Sequence, residues 1–322
     1  MNTLVDRFLH YVSFDTQSDE NSTTFPSTEK QFALAHELVK ELLGLGLSDA
    51  AVDTNCYVTA TLKANCPDPG SVPVIGFLAH MDTSPDASGN GVKPRIVQAY
   101  DGGDIILNKE KKMVLSPSVF PAMLKHTGED FIVADGTTLL GADDKAGIAE
   151  IVTAMEYLIA HPEVQHGTIK IGFTPDEEVG QGVDRFDVGR FGAKYAYTLD
   201  GDELGGLEYE NFNAAAVHYT IEGKSIHPGS AKGIMKNAAQ IAAELITLFP
   251  GDETPRTTEN REGFYHLTDI EGTCEKADVK FIVRDHDKKK FEARKTMAEA
   301  IAEFLNVKYG NDTVTVQIHD SY

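Results

Sequence analysis

The sequence predicts an α/β protein of two domains, an α/β sandwich followed by a ferredoxin-like α+β unit. Three observations carry this. The chain has 322 residues, beyond the span of about 100 to 200 residues usual for one domain. Up to residue 210, apolar strand-like runs alternate with amphipathic helical patterns, as in a sheet covered by helices. From Asn211 to Tyr322 the pattern changes to a β-α-β-β-α-β order, which is the ferredoxin-like arrangement.

The elements follow in order. Leu4, Val5, Phe8, Leu9 and Val12 recur at helical spacing and predict a short helix from Thr3 to Val12. A second helix carries the stripe Leu34, Leu38, Leu42 and Leu45 and ends at Gly44 and Gly46; Thr28 and Gln31 are spaced as its capping box. Strands are predicted at Tyr57 to Leu62 and Val74 to Ala79, the latter nearly all apolar. From Thr83 to Asp130 the chain is rich in Gly, Pro and Asp and reads as loops and short strands. So long an excursion beside a strand end is more often site architecture than linker.

Asp144 to Ala160 is a clear helix, burying Ile148, Ile151, Val152, Met155, Leu158 and Ile159, and strands Thr168 to Thr174 and Tyr195 to Leu199 come after it. The second domain reads as strand Ala214 to Glu222, helix Asn237 to Phe249, strands Phe264 to Glu271 and Ala277 to Asp285, helix Lys288 to Leu305 and strand Thr313 to His319.

Composition limits the partners. A formal charge of −21 repels phosphate backbones and anionic membrane surfaces, so no nucleic-acid and no membrane partner is expected; a short peptide or other small molecule is. Cys56, Cys66 and Cys274 are odd in number and lack CxxC spacing, which suits ordinary thiols in a reducing cytoplasmic compartment. The N-terminus is broken by charge, unlike a signal peptide, and no stretch reaches the ~18 apolar residues of a membrane span.

Chemistry-bearing residues stand where apolar runs end. His80 and Asp82 follow the second strand, Asp143 and Asp144 open the third helix, Glu177 and Glu178 follow the third strand, and Asp200 follows the fourth. Each has an ordinary explanation alone: aspartates cap helices, and acids solvate turns. Together they point to a crevice at the carboxyl ends of a sheet, where ligands collect. Clustered carboxylates without a cation repel one another, so the cluster implies bound metal, and oxygen donors with one histidine accept Zn²⁺, Mn²⁺ or Co²⁺ alike. One of Glu177 and Glu178 could bind metal while the other acts as a base.

His80-x-Asp82, Gly141-Ala-Asp-Asp-Lys-Ala-Gly147, Thr174-Pro-Asp-Glu-Glu178 and Tyr197-Thr-Leu-Asp-Gly201 together resemble the di-zinc aminopeptidase and aminoacylase superfamily of metallopeptidases. Phe14-Asp-Thr-Gln-Ser18, Met81-Asp-Thr-Ser-Pro-Asp86, Glu210-Asn-Phe-Asn213, His227-Pro-Gly-Ser-Ala-Lys-Gly233 and Glu262-Gly-Phe-Tyr-His-Leu267 narrow the resemblance to the tripeptide aminopeptidases of the peptidase T family.

The resemblance implies a three-layer α/β/α catalytic domain over residues 1–210, with a zinc-peptidase-like sheet incomplete at its C-terminal end, and a lid over residues 211–322. It implies two zinc ions, His80 and Asp200 on one, Asp143 bridging, and Glu178 on the other. Glu177 is then the general base for attack by a bridging hydroxide, and Asp82 orients His80. In the lid, Asn213, His227 and Arg284 match substrate-binding positions, His227 for the oxyanion and Arg284 for the terminal carboxylate. The Asp143-Asp144 peptide bond is expected to be cis.

Relatives add a C-terminal segment that supplies a histidine to the second metal, and no counterpart is found here. If the chain is complete, the second site loses its nitrogen ligand, and the open sheet edge invites pairing into a homo-oligomer. An inactive remnant holding at most one metal, or a dipeptidase or N-acyl amino acid deacylase of the same superfamily, are the alternative readings.

Overall fold

The structure, a computed structural model, describes residues 3–201 and 203–321. The chain divides into two compact units, Met1–Gly206 and Leu207–Tyr322. The division falls a few residues before Asn211, because the stretch leading to the next strand is exposed and without regular structure.

The first unit opens with α1 (Leu4–Tyr11), capped by Thr3, whose hydroxyl accepts the Asp6 N–H while the Asp6 carboxylate accepts the Thr3 N–H. Helix α2 (Gln31–Gly44) departs from expectation at its start: Lys30 is the N-cap and no side chain caps it. The Thr28/Gln31 capping box does not form, because the Gln31 amide is spent on Asp176, at 2.7 Å from Oδ1.

Strands β1 (Ala51–Val52), β2 (Val58–Leu62) and β3 (Ile75–His80) follow. The excursion after β3 folds into two small sheets. In one, β4 (Arg95–Val97) pairs with β7 (Phe131–Val133); in the other, β5 (Ile105–Asn108) pairs with β6 (Met113–Leu115). They share a minor core of Tyr100, Ile105, Met123 and Val133. Then come α3 (Ala142–Ala160), β8 (Ile169–Thr174), α4 (Val188–Phe191) and β9 (Tyr195–Thr198).

The main sheet has the order β1-β2-β8-β3-β9, with β3 parallel to both β8 and β9. Those three strands therefore end on one edge, which brings the residues after them together. One face of the sheet, through Val58, Ala60, Ala79, Ile169, Ile171 and Phe173, packs on α1, α2 and α3 in a single core. The other face carries Phe186 and Phe191 around α4, the latter close enough that a Cβ on Gly76 would lie 2.6 Å from its ring.

In the second unit, β10 (Asn213–Glu222), α5 (Ala238–Thr247), β11 (Phe264–Gly272), β12 (Lys276–Asp285), α6 (Lys288–Tyr309) and β13 (Val314–Asp320) follow in sequence. The antiparallel sheet order is β11-β12-β10-β13, the ferredoxin-like topology. Asn237 and Asp287 cap its helices, accepting the N–H groups of Gln240 and Lys290. Alternate residues of the central strands, among them Val217, Tyr219, Val279 and Phe281, face the helices and form its core.

Candidate metal centre

The site is built on the carboxyl edge of the main sheet, starting from His80, the last residue of β3 and 2% exposed. Its Nδ1 lies 3.0 Å from the Asp82 carbonyl oxygen. A carbonyl only accepts, so Nδ1 donates there and Nε2 faces the crevice. Nε2 stands 2.8 Å from Asp143 Oδ1, and 3.9 Å from both Glu177 Oε2 and Asp200 Oδ2.

Asp82 is fully buried and binds backbone rather than solvent. Its Oδ1 accepts the Glu177 N–H at 2.9 Å and lies 3.3 Å from His80 Nδ1, while its Oδ2 accepts the Glu178 N–H at 3.2 Å. One carboxylate thus orients the imidazole and holds the turn that bears both glutamates.

Asp143 and Asp144 diverge although they are adjacent. Gly141 before them sits at φ +78, a left-handed conformation that glycine adopts without steric cost. The Asp143-Asp144 bond is cis, as the resemblance implies, and both residues have non-helical backbone before α3 becomes regular. Asp143 points into the crevice with its side chain largely exposed. Asp144 is buried, accepting the N–H groups of His80 and Gly147.

Two overlapping donor groups result, His80–Glu177–Asp200 and His80–Asp143–Glu178, each with its ligating atoms within 4.8 Å of one another. Every residue assigned to metal binding from the sequence is present in them, together with Glu177. The electrostatics follow from this crowding. Burial first, and then the Asp143 charge, pushes the Glu178 carboxyl up to about 7. Burial and neighbouring acids also raise Glu177 and Asp200, and burial takes Asp144 up to about 8. Burial works against charge on His80, but Asp143 and Asp82 outweigh it and lift the imidazole to about 11. Half-buried carboxylates around one imidazole, with that imidazole stabilised as a cation, are a set of donors in need of positive charge. They fit a divalent metal centre.

The other three expected residues belong to the second unit. Asn213 starts β10 and donates from Nδ2 to the Asp285 carbonyl at 2.9 Å. Arg284, on β12 and paired with Ala214, lies with Cζ 4.6 Å from the centre of the Phe212 ring, and its buried Nε has no partner among the described residues. His227 is exposed in a turn, where its Nδ1 accepts the Gly229 N–H.

Sequence reasoning gave no role to Asp176, which is fully buried at φ +54 directly before Glu177. Its only sequence signal is its place in the Thr174-Pro-Asp-Glu-Glu178 motif. Among the described residues, no helix is long and apolar enough to cross a membrane.

The chain is similar to known peptidases. The chain is 56% identical over 322 residues to peptidase T of Alkaliphilus oremlandii, covering 100% of this chain and 79% of that protein. It is 55% identical over 322 residues to peptidase T of Caldanaerobacter subterraneus, covering 78% of that one. The crystal structure of the aminopeptidase PepT from Bacillus cereus superposes with a TM-score of 0.71 at 26% identity, over 99% of this chain and 75% of that one. Residues 209–313 match the peptidase dimerisation domain.

Proposed function

The chain belongs to the peptidase T family, and from that membership we propose that it is a zinc-dependent aminopeptidase that releases the N-terminal residue of tripeptides. The observation that carries this is the convergence of His80, Asp143, Glu177, Glu178 and Asp200 into two overlapping donor groups at one sheet edge.

In this reading His80, Asp143 and Asp200 would hold one zinc ion, and Asp143 and Glu178 would hold a second; the ions, when bound, would supply Lewis-acid polarisation of the scissile carbonyl and a more acidic attacking water. Glu177 takes the proton from that water and delivers it to the leaving amine nitrogen as the peptide bond breaks. Its raised pKa supports the assignment, since a base works best when its pKa approaches the working pH. Asp82 keeps the His80 Nδ1 proton directed inward, so that Nε2 remains the ligating atom.

Asn213, His227 and Arg284 are the substrate-binding residues of this reading. Arg284 pairs with the peptide's terminal carboxylate in this reading. His227 stabilises the oxyanion. The dimerisation-domain match supports a homo-oligomer, and unpaired Cys56, Cys66 and Cys274 accord with the cytoplasm.

The test is an assay of chelated protein resupplied with zinc, cobalt or manganese on tripeptides, dipeptides and N-acyl amino acids. Metal-restored turnover of tripeptides above the other two is expected. Preference for dipeptides or N-acyl amino acids, or turnover indifferent to chelation, overturns the reading.

A further inference from the structure

The segment from Phe14 to Gln31, which follows α1 and runs into the first residue of α2, carries none of the site residues yet touches the segments that bear Asp82, Asp144 and the two glutamates. The Phe14 carbonyl accepts from Lys145 Nζ at 2.8 Å, next to Asp144. Ser18 N donates to the Thr83 carbonyl at 3.0 Å and Thr83 N to the Thr16 carbonyl at 3.3 Å, next to Asp82. The third attachment is the densest and joins the turn of the two glutamates.

That attachment is Asp176. Its Oδ2 accepts the Ser27 N–H at 2.6 Å, and its Oδ1 accepts the Ser27 hydroxyl at 2.5 Å and Gln31 Nε2 at 2.7 Å. Gln31 Oε1 in return accepts the Asp176 N–H at 3.3 Å. Asp176, Gln31 and Ser27 are all buried, so these bonds do not compete with solvent. The turn continues with Gly180 N to the Glu177 carbonyl and Gln181 N to the Asp176 carbonyl. On its other side Asp82 accepts the amides of Glu177 and Glu178. The glutamate backbone is therefore gripped between two buried carboxylates reached from opposite parts of the sequence.

We propose that Asp176, acting through Ser27 and Gln31, is a positioning residue that sets where Glu177 and Glu178 point, so that the chain entering α2 controls the geometry of the centre. The Asp176 carboxylate bonds Ser27 and Gln31 and belongs to neither donor group. Its left-handed backbone turns the chain after β8 back toward the crevice, and the bonds to Ser27 and Gln31 hold that conformation in a non-glycine residue. The proposal rests on Glu177 and Glu178 serving as base and ligand.

The test uses Asp176→Asn, which replaces one of the two accepting carboxylate oxygens with an NH₂ group, and Asp176→Gly, which removes both; both residues tolerate the left-handed backbone, so neither strains the chain. In cobalt-loaded protein, the d–d absorption band should shift in both variants. Tripeptide kcat should fall about 10- to 100-fold with KM nearly unchanged, the loss usual when a residue supporting the ligands is removed. Gln31→Met should give a smaller loss of the same kind, and combined with Asp176→Asn it should add little, because both act through one network.

An unchanged cobalt band with unchanged kcat in folded variants overturns the proposal. So does strict additivity with Gln31→Met, or a loss of kcat and KM in step with thermal stability. If the wild type binds cobalt but does not cleave tripeptides, the peptidase reading fails and the cobalt band decides the positioning role alone. If the Asp176 variants do not fold, the band and kcat of Gln31→Met decide it.

Discussion

Asp144 Oδ2 accepts the backbone N–H of His80 at 3.1 Å, so the entry of α3 is tied to the end of β3 by a carboxylate that never faces the crevice. Its neighbour Asp143 does face it. Division of labour between adjacent aspartates is how one short motif supplies both a carboxylate facing the crevice and the bond that holds the strand end in place.

Asp144→Asn is expected to weaken both functions of that bond. The amide keeps the size but has a single acceptor, so one of the N–H groups of His80 and Gly147 meets an NH₂ group. Leaving a buried donor unsatisfied costs about 1–3 kcal/mol. Thermal unfolding should record that loss, and competition with a chromogenic chelator should record weaker metal binding.

The stability of metal-free protein should fall as pH rises from about 5 to 8. Glu178 and Asp144 have folded pKa values of about 7 and about 8, above their ordinary carboxyl values, and His80 is raised to about 11. In that window the folded state holds more protons than the unfolded state, so unfolding becomes easier with each unit of pH. Metal should reverse the slope, since it binds the deprotonated ligands. Melting temperatures across this range, with chelator and with stoichiometric zinc, check the sign; a melting temperature that rises with pH in chelator contradicts it.

Glu177→Gln should lower kcat by roughly 10²- to 10⁴-fold, the usual contribution of a general base, while metal content stays at the wild-type level. The geometry makes this a sharp experiment, because Glu177 also lies in a donor group with His80 and Asp200. Loss of a metal ion, read by mass spectrometry of metal content, would instead make Glu177 a ligand.

Gly147→Ala should be poorly tolerated. A Cβ there would lie 2.0 Å from the Leu199 carbonyl oxygen and 2.5 Å from Asp144 Oδ1. Neither can move without shifting Asp200 or the His80 tie. Overpacking of this kind costs about 1–3 kcal/mol, visible as a lowered melting temperature, and metal affinity should drop with it.

Much of this site is legible in the sequence because its donors follow strands whose apolar runs are themselves legible. Val74 to Ala79 announces β3, and His80 is simply what comes next. The ferredoxin-like order of the second unit is readable for the same reason, its strands and helices having distinct periods. The missed features have no local pattern. The spacing of Thr28 and Gln31 suggests a helix cap, yet Gln31 turns to Asp176, 145 residues away, because that carboxylate is buried and must be satisfied.

The sequence by itself determined the longer helices and strands, the change of pattern near Asn211, and the rule that acids and one histidine end the strands, since each depends on neighbours a few residues apart. Only the tertiary structure decided which of those acids serve the crevice and which serve the chain. Asp143 and Asp144 are indistinguishable as letters, and Asp176 reads like Glu177. Their roles separate only when parallel pairing of β3, β8 and β9 aligns three strand ends, and when buried backbone N–H groups from distant segments claim Asp82, Asp144 and Asp176 as acceptors. Burial makes those bonds obligatory, and burial is a property of the packed molecule alone.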